Sequence, residues 1–111
     1  MDINLSPRHE ESIRKRYRAY LLQIGKSPDY HVYDLRYDEL LRLPPSHARS
    51  FLIKIRRYFD SLDEKGKRIL VAEVLEKHRV YPFWFYDENL FAPREFELKR
   101  REIFSYLRRE I

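Results

Sequence analysis

The chain has 111 residues, a length that predicts one domain with a single modest core. Its residues are 43% hydrophobic and 37% charged, as in folded proteins whose helices have strongly solvated faces, and only two glycines are present, which excludes a β protein with many turns. The net charge of +5 favours an anionic partner, and the absence of cysteine excludes disulfides, thiolate metal sites and a cysteine nucleophile.

The hydropathy of the sequence indicates where in the cell the protein is expected to be. The N-terminal stretch MDINLSPRHEE is polar and lacks the apolar segment of a secretory signal. No apolar run reaches the roughly eighteen residues that a membrane-spanning helix requires. We therefore expect a cytoplasmic protein that does not contact a membrane.

The first predicted helix begins with Ser6 as its N-cap and Pro7 in the first helical position. It runs to about Ile24, where Gly25 ends it in a left-handed conformation. The side chains predicted to face inward are Ile13, Tyr17, Tyr20, Leu21 and Ile24. The other face carries Arg8, Arg14, Lys15 and Arg18.

A shorter element is predicted next, with Asp34 capping a helix that Pro44 and Pro45 stop at about Leu43. The proline pair marks a candidate boundary between an N-terminal element and the rest of the domain. Residues 1–43 form either an arm or a homodimerisation element, and the compact core follows them.

Further caps and prolines define the remaining helices. Ser46 caps a third helix to about Leu62, and Asp63 caps a fourth to about Arg79. Pro82 begins a short helix to Leu90, and Pro93 begins the last. The sequence thus predicts an all-α fold, a single-domain bundle of five to six helices over residues 1–111, in which residues 62–111 form a helix-turn-helix-like core.

The last helix, Arg94 to Glu110, sorts into two faces. The face predicted to pack on the core carries Phe96, Ile103, Phe104, Leu107 and Ile111, at the period of an amphipathic helix. The opposite face carries Arg94, Leu98, Arg101, Ser105 and Arg108. Arginine bonds guanine edges bidentately and neutralises phosphates, so this face suits a reader of the DNA major groove, although a merely solvated face shows the same pattern.

The residues predicted to bind duplex DNA are Arg94, Lys99, Arg101 and Arg108, with Arg14 and Arg18 of the first helix as secondary phosphate contacts. Arg94 and Arg101 lie in the N-terminal half of their helix, from which recognition helices contact base edges. Three glutamates oppose this interpretation, because carboxylates repel phosphates. They are Glu95, Glu97 and Glu102.

An aromatic run precedes the last helix, from Tyr81 to Tyr86. Trp84 within it is predicted to pack under the face of Phe96, Ile103 and Leu107, because that face needs a partner surface. A platform that stacks single-stranded bases would use the same residues.

Residues 62–107 also resemble a known family. The aromatic cluster Phe83–Tyr86 is followed by Phe91–Phe96, then Leu98–Arg100, then Ile103, Phe104 and Leu107. This order resembles small phage and prophage late-gene transcriptional regulators of Gram-positive bacteria, of the ArpU and RinA type, whose C-terminal part is similar to the helix-turn-helix of sigma-factor region 4. The resemblance implies duplex DNA as partner and control of transcription as function. The chain has Ala92–Phe96 where those regulators tend to have Ser-x-Ser/Thr-Tyr-Tyr.

Two other functional classes fit the same sequence. In the first, the chain is a non-enzymatic helical module without DNA affinity, a phage-encoded factor that docks on a host protein through its arginines and through Tyr30, Tyr33 and Tyr37. In the second, it is an enzyme without a recognisable motif. The scattered histidines and the lack of a glycine-rich phosphate loop predict no catalysis, no metal, no cofactor and no small-molecule substrate.

Overall fold

A computed structural model of the chain describes residues 7–77 and 93–111. Over these two ranges the protein is helical and contains no strand, which confirms the predicted all-α class. A 3₁₀ turn at Val32–Asp34 precedes α2, and a π-helical segment, Val71–Leu75, follows α4. The α-helices are α1 (Pro7–Gln23), α2 (Tyr37–Leu41), α3 (His47–Ser61), α4 (Glu64–Leu70) and α5 (Pro93–Glu110).

The end of α1 confirms the predicted glycine cap. Gly25 has φ of 85°, a left-handed conformation that glycine adopts without steric cost. The Gly25 N–H donates to the Leu22 carbonyl at 3.0 Å and the Lys26 N–H to the Leu21 carbonyl at 2.9 Å. This pair of bonds is a Schellman motif, which satisfies carbonyls that the helix end would leave unpaired.

The prediction that Asp34 caps a helix is wrong. Asp34 ends the 3₁₀ turn, and α2 begins three residues later with Arg36 as an N-cap that makes no side-chain hydrogen bond. Val32 and Leu35 are both buried. A 3₁₀ turn has three residues per turn and therefore places these two apolar side chains on one side, which the predicted start at Asp34 would not do.

The N-caps predicted for α3 and α4 are confirmed. The Ser46 hydroxyl accepts from the Arg49 N–H at 3.0 Å, and Asp63 Oδ1 accepts from the Gly66 N–H at 2.8 Å. A Cβ on Gly66 would lie 3.1 Å from Leu62 Cβ, so glycine permits this first turn to pack closely on the end of α3. Each cap satisfies a backbone donor that a helix start leaves unpaired.

The fourth predicted helix differs from expectation along its length. The α-helix ends at Leu70 and continues as the π-helical segment, whose extra residue per turn appears in the Glu76 N–H donating to the Val71 carbonyl at 2.8 Å. The six apolar side chains between Ile69 and Leu75 are all buried, and only Glu73 among these residues is half-buried. A helical stretch with apolar side chains on most of its sides must be central to the fold.

The other helices cover this central stretch. Helix α1 packs against α3 and the π-helical segment, while α5 packs against α4, and α2 lies on α3. Buried apolar residues of the described helices form one core, to which residues 7–43 also contribute. Its members outside the central stretch include Ile13, Tyr17, Leu21, Val32, Leu35, Leu40, Leu52, Ile55, Phe59, Ile103, Phe104 and Leu107.

Three predicted features lie outside the described residues. They are the Ser6 cap, the helix from Pro82 to Leu90, and the packing of Trp84. The helix from Pro82 to Leu90 is the middle element of the predicted helix-turn-helix. Among the helices in residues 7–77 and 93–111, none combines the length and apolarity needed to cross a membrane.

Truncating the core face of α5 tests its docking. Phe104 is 0% exposed, so Phe104→Ala should lower the free energy of unfolding by about 3–5 kcal/mol. Leu22→Ala is the control, since Leu22 is 59% exposed and its loss should change stability by less than about 0.5 kcal/mol. Urea denaturation followed by circular dichroism measures both. Equal midpoints for the two variants would show that α5 is not docked as described.

Candidate nucleic-acid interface

Helix α5 separates an apolar from a basic face, as predicted. Ile103, Phe104 and Leu107 are buried against the core. The predicted outward face is solvent-accessible, with Ser105 half-buried and its other members exposed: Arg94, Leu98, Arg101 and Arg108. Because the inward face is committed to the core, the outward face is the one that α5 can present to a partner.

Crossed ion pairs fix the N-terminal half of α5 to the start of α4. Lys99 Nζ lies 2.7 Å from Asp63 Oδ2, and Lys65 pairs with Glu95 in the opposite sense. Each helix thus supplies one cation and one carboxylate. The pairs restrain rotation of α5 about its axis, and so keep Arg94 and Arg101 pointing outward.

The C-terminal end of α5 is held by cations from two other helices. Lys54 Nζ of α3 donates to the Glu110 carbonyl at 2.7 Å, and Arg16 Nη2 of α1 donates to the Ile111 carbonyl at 3.3 Å. Positive charge at a helix C-terminus is favourable, because it complements the helix dipole and the unpaired carbonyls. The rings of Tyr58 and Tyr106 stack 3.7 Å apart between α3 and α5.

Of the residues predicted to bind DNA, Lys99 is engaged within the protein. Its side chain is 26% exposed. The hydrogen bond with Asp63 raises the pKa of Lys99, and the same bond, with the Gly66 N–H, lowers the pKa of Asp63. Its geometry therefore suits positioning of α5 better than contact with a phosphate.

Arg94, Arg101 and Arg108 are more exposed to solvent than Lys99. Arg94 is exposed and forms no ion pair within residues 7–77 and 93–111. Arg101 is 56% exposed, and its Nε lies 4.0 Å from Glu97 Oε2, a loose surface contact worth little. Arg108 is exposed in the last turn of α5.

The three opposing glutamates are not equivalent. Glu95 turns toward α4 and pairs with Lys65, so its charge is largely neutralised. Glu97 contacts Arg101, whereas Glu102 is exposed and lies near Lys99. The negative charge beside the N-terminal arginines is thus smaller than the sequence alone indicates.

The predicted secondary contacts, Arg14 and Arg18, are partly buried on one flank of α1. Arg18 Nη2 lies 3.3 Å from Asp29 Oδ1. The α1 residue that donates a hydrogen bond to the end of α5 is Arg16. Arg16 is two positions away from both Arg14 and Arg18 in the sequence, so it lies on the opposite flank of α1. No described contact joins Arg14 or Arg18 to the arginine face of α5.

Arg109 was not among the predicted contacts, yet it is exposed in the last turn of α5. It lies three and four residues beyond Tyr106 and Ser105, on the side of the outward face next to α3. A helical projection centred on Leu98 and Ser105 would have included it. The predicted contacts Arg101 and Arg108 lie on one flank of that face, and Arg109 lies on the other flank.

The tyrosines of the alternative docking surface are half-buried and engaged internally. The Tyr30 hydroxyl donates to the Asp34 carbonyl at 3.0 Å. The Tyr33 ring packs edge-on against Phe59, and burial raises the pKa of Tyr33 to about 12. The Tyr37 hydroxyl accepts two bonds from Arg57. They do not form an exposed aromatic patch.

Titratable side chains gather elsewhere mainly in pairs. Glu76 is 1% exposed, and its Oε2 lies 2.7 Å from His31 Nδ1. Glu10 is also buried, and its Oε2 lies 3.3 Å from Lys77 Nζ. In the part of the chain that the structure describes, no three or more histidine or carboxylate side chains are grouped to hold a metal ion.

Comparisons with protein-family models, with curated proteins and with solved structures found no match to this chain.

The ion pair between Asp63 and Lys99 predicts a pH dependence of stability. Asparagine keeps the N-cap function, so Asp63→Asn removes mainly the charge and should lower the free energy of unfolding at neutral pH by up to about 1 kcal/mol. The pKa of Asp63 is depressed in the folded state. Its contribution is therefore present above the unfolded pKa of about 3.9 and is lost as the pH falls through the folded value.

Thermal unfolding of parent and Asp63→Asn should converge as the pH is lowered below about 4. Asp60→Asn is the control, because Asp60 pairs with Arg56 within one turn of α3 and makes no described contact with α5. A constant difference between parent and Asp63→Asn across this range would contradict the assignment.

Proposed function

We propose that this chain is a DNA-binding transcriptional regulator, encoded by a phage or another mobile element, that reads duplex DNA with α5 and acts in the cytoplasm. The observation that carries the proposal is the arginine face of α5, exposed opposite a face that is buried in the core. The net charge of +5 supports an anionic partner. The resemblance to phage late-gene regulators supports the same conclusion.

In this function the two halves of α5 have different roles. A recognition helix contacts base edges mainly through its N-terminal turns, so Arg94 and Arg101 bond guanine edges in the major groove. Arg108 and Arg109, near the C-terminus, neutralise phosphates. Lys99 holds α5 in register through Asp63, and residues 1–43 remain the predicted homodimerisation element or arm.

The protein-docking alternative receives less support from the molecule. Its tyrosines pack inward, so the exposed Tyr/Arg surface on which a host protein would dock is not formed by Tyr30, Tyr33 and Tyr37. The basic face of α5 would remain available to an acidic protein, which makes DNA affinity the deciding measurement.

Removing the arginine face should abolish DNA binding. An Arg94/Arg101/Arg108 triple alanine variant should bind duplex DNA at least about a hundredfold more weakly, because each of the two base-contacting arginines contributes about 1–3 kcal/mol and Arg108 contributes a phosphate contact. Fluorescence anisotropy with a mixed-sequence duplex, from low to physiological salt, measures the affinity. The matched control is an Arg36/Arg42/Arg57 triple alanine variant, which removes the same charge from exposed positions on and around α2 and α3.

Parent-like binding by the control and loss by the first variant support the proposal. Equal weakening of DNA binding in the two variants would show that the loss comes from reduced net charge and not from the arginine face of α5. If the parent protein is folded by circular dichroism but does not bind duplex DNA at low salt, the protein-docking alternative is favoured.

Single substitutions should separate base contacts from phosphate contacts. Arg101→Ala should weaken binding by about 1–3 kcal/mol and relax the sequence preference at one position, because a bidentate base contact is lost. Arg108→Ala should weaken binding to all sequences alike and reduce the slope of log affinity against log salt by about one. Selection from a randomised duplex pool and salt titration measure the two effects. Identical behaviour of the two variants would contradict the division of roles.

A further inference from the structure

An exposed leucine lies in the middle of the basic face of α5. Leu98 is 51% exposed, and its neighbours one turn away on that face are Arg94 and Arg101. The other large apolar side chains of α5 are buried or half-buried: Phe96, Ile103, Phe104, Tyr106, Leu107 and Ile111. The helix therefore presents a large apolar side chain to solvent at the centre of the surface that would face DNA.

The geometry of an α-helix places Leu98 within reach of the same base steps as its neighbours. With a rise of about 1.5 Å per residue, Leu98 lies roughly 6 Å along the axis from Arg94 and roughly 4.5 Å from Arg101. Successive base pairs are about 3.4 Å apart. The base pair opposite Leu98 is therefore one or two base pairs away from the base pairs that Arg94 and Arg101 reach.

The major groove offers one apolar group at a base edge, the C5-methyl group of thymine. We infer that Leu98 contacts this methyl group and is a specificity-determining residue, an inference that rests on the proposed function. The flanking arginines, Arg94 and Arg101, bond guanine edges, whereas Leu98 between them is neutral and branched and suits an apolar group at a base edge. The site reads a thymine within two base pairs of a guanine contacted by Arg94 or Arg101.

The test removes the methyl group alone. A duplex is selected with the parent protein from a randomised pool, and each thymine in it is replaced in turn by deoxyuridine, which lacks only the C5-methyl group. Parent affinity should fall by about fourfold at one position, the effect expected for one buried methyl group. Leu98→Ala should bind thymine and deoxyuridine equally there, whereas Leu98→Met, which keeps an apolar side chain of similar reach, should retain the preference.

The matched controls are Leu22→Ala and Leu41→Ala, because these leucines are also exposed but lie on α1 and α2. Both should keep the parental preference for thymine. Duplex binding that is unaffected by deoxyuridine at every position, or a preference that persists in Leu98→Ala, overturns the inference and leaves the proposed function standing. Failure of the parent to bind any duplex at low salt overturns both.

Discussion

The central constraint on this structure is a helical stretch in which six of seven side chains are apolar and buried. Within Ile69–Leu75 only Glu73 reaches solvent, so other helices must cover the remaining sides, and α1, α3 and α5 do so with their apolar faces. Each covering helix has only one such face, and burying it determines which side chains remain outside. The exposure of the arginine face of α5 is therefore a consequence of core packing, which the ion pairs between α5 and the start of α4 reinforce.

Buried charge limits how this core can be arranged. A carboxylate as deeply buried as Glu76 is strongly unfavourable without a partner, and the π-helical turn ends where Glu76 reaches His31 at 2.7 Å. Glu10 is similarly placed with Lys77. Such pairs add little net stability compared with apolar packing, but breaking one leaves an uncompensated buried charge. They favour the single arrangement in which α1 and the connector before α2 meet the end of the central stretch.

Among the basic residues of α5, Lys99 contributes to anchoring the helix, whereas four arginines are exposed to solvent. Lys99 is held at 2.7 Å from Asp63, Lys65 engages Glu95, and the last carbonyls of α5 accept from Lys54 and Arg16. These contacts anchor the helix at both ends. Arg94, Arg101, Arg108 and Arg109 are exposed to solvent. For the proposed DNA binding, this anchoring leaves the proposed contact residues on a rigid helix, which precise recognition requires.

Much of the secondary structure followed from the sequence alone, because its signals are local. The glycine at 25, the caps at Ser46 and Asp63, and the apolar period of α5 act within a few residues. Tertiary packing decided the rest. The start of α2 moved past Asp34 because Val32 and Leu35 both had to be buried, and the burial of Glu76 depends on His31, distant in sequence. Whether a basic side chain is paired, as Lys99 is with Asp63, depends on contacts between helices that no periodicity encodes.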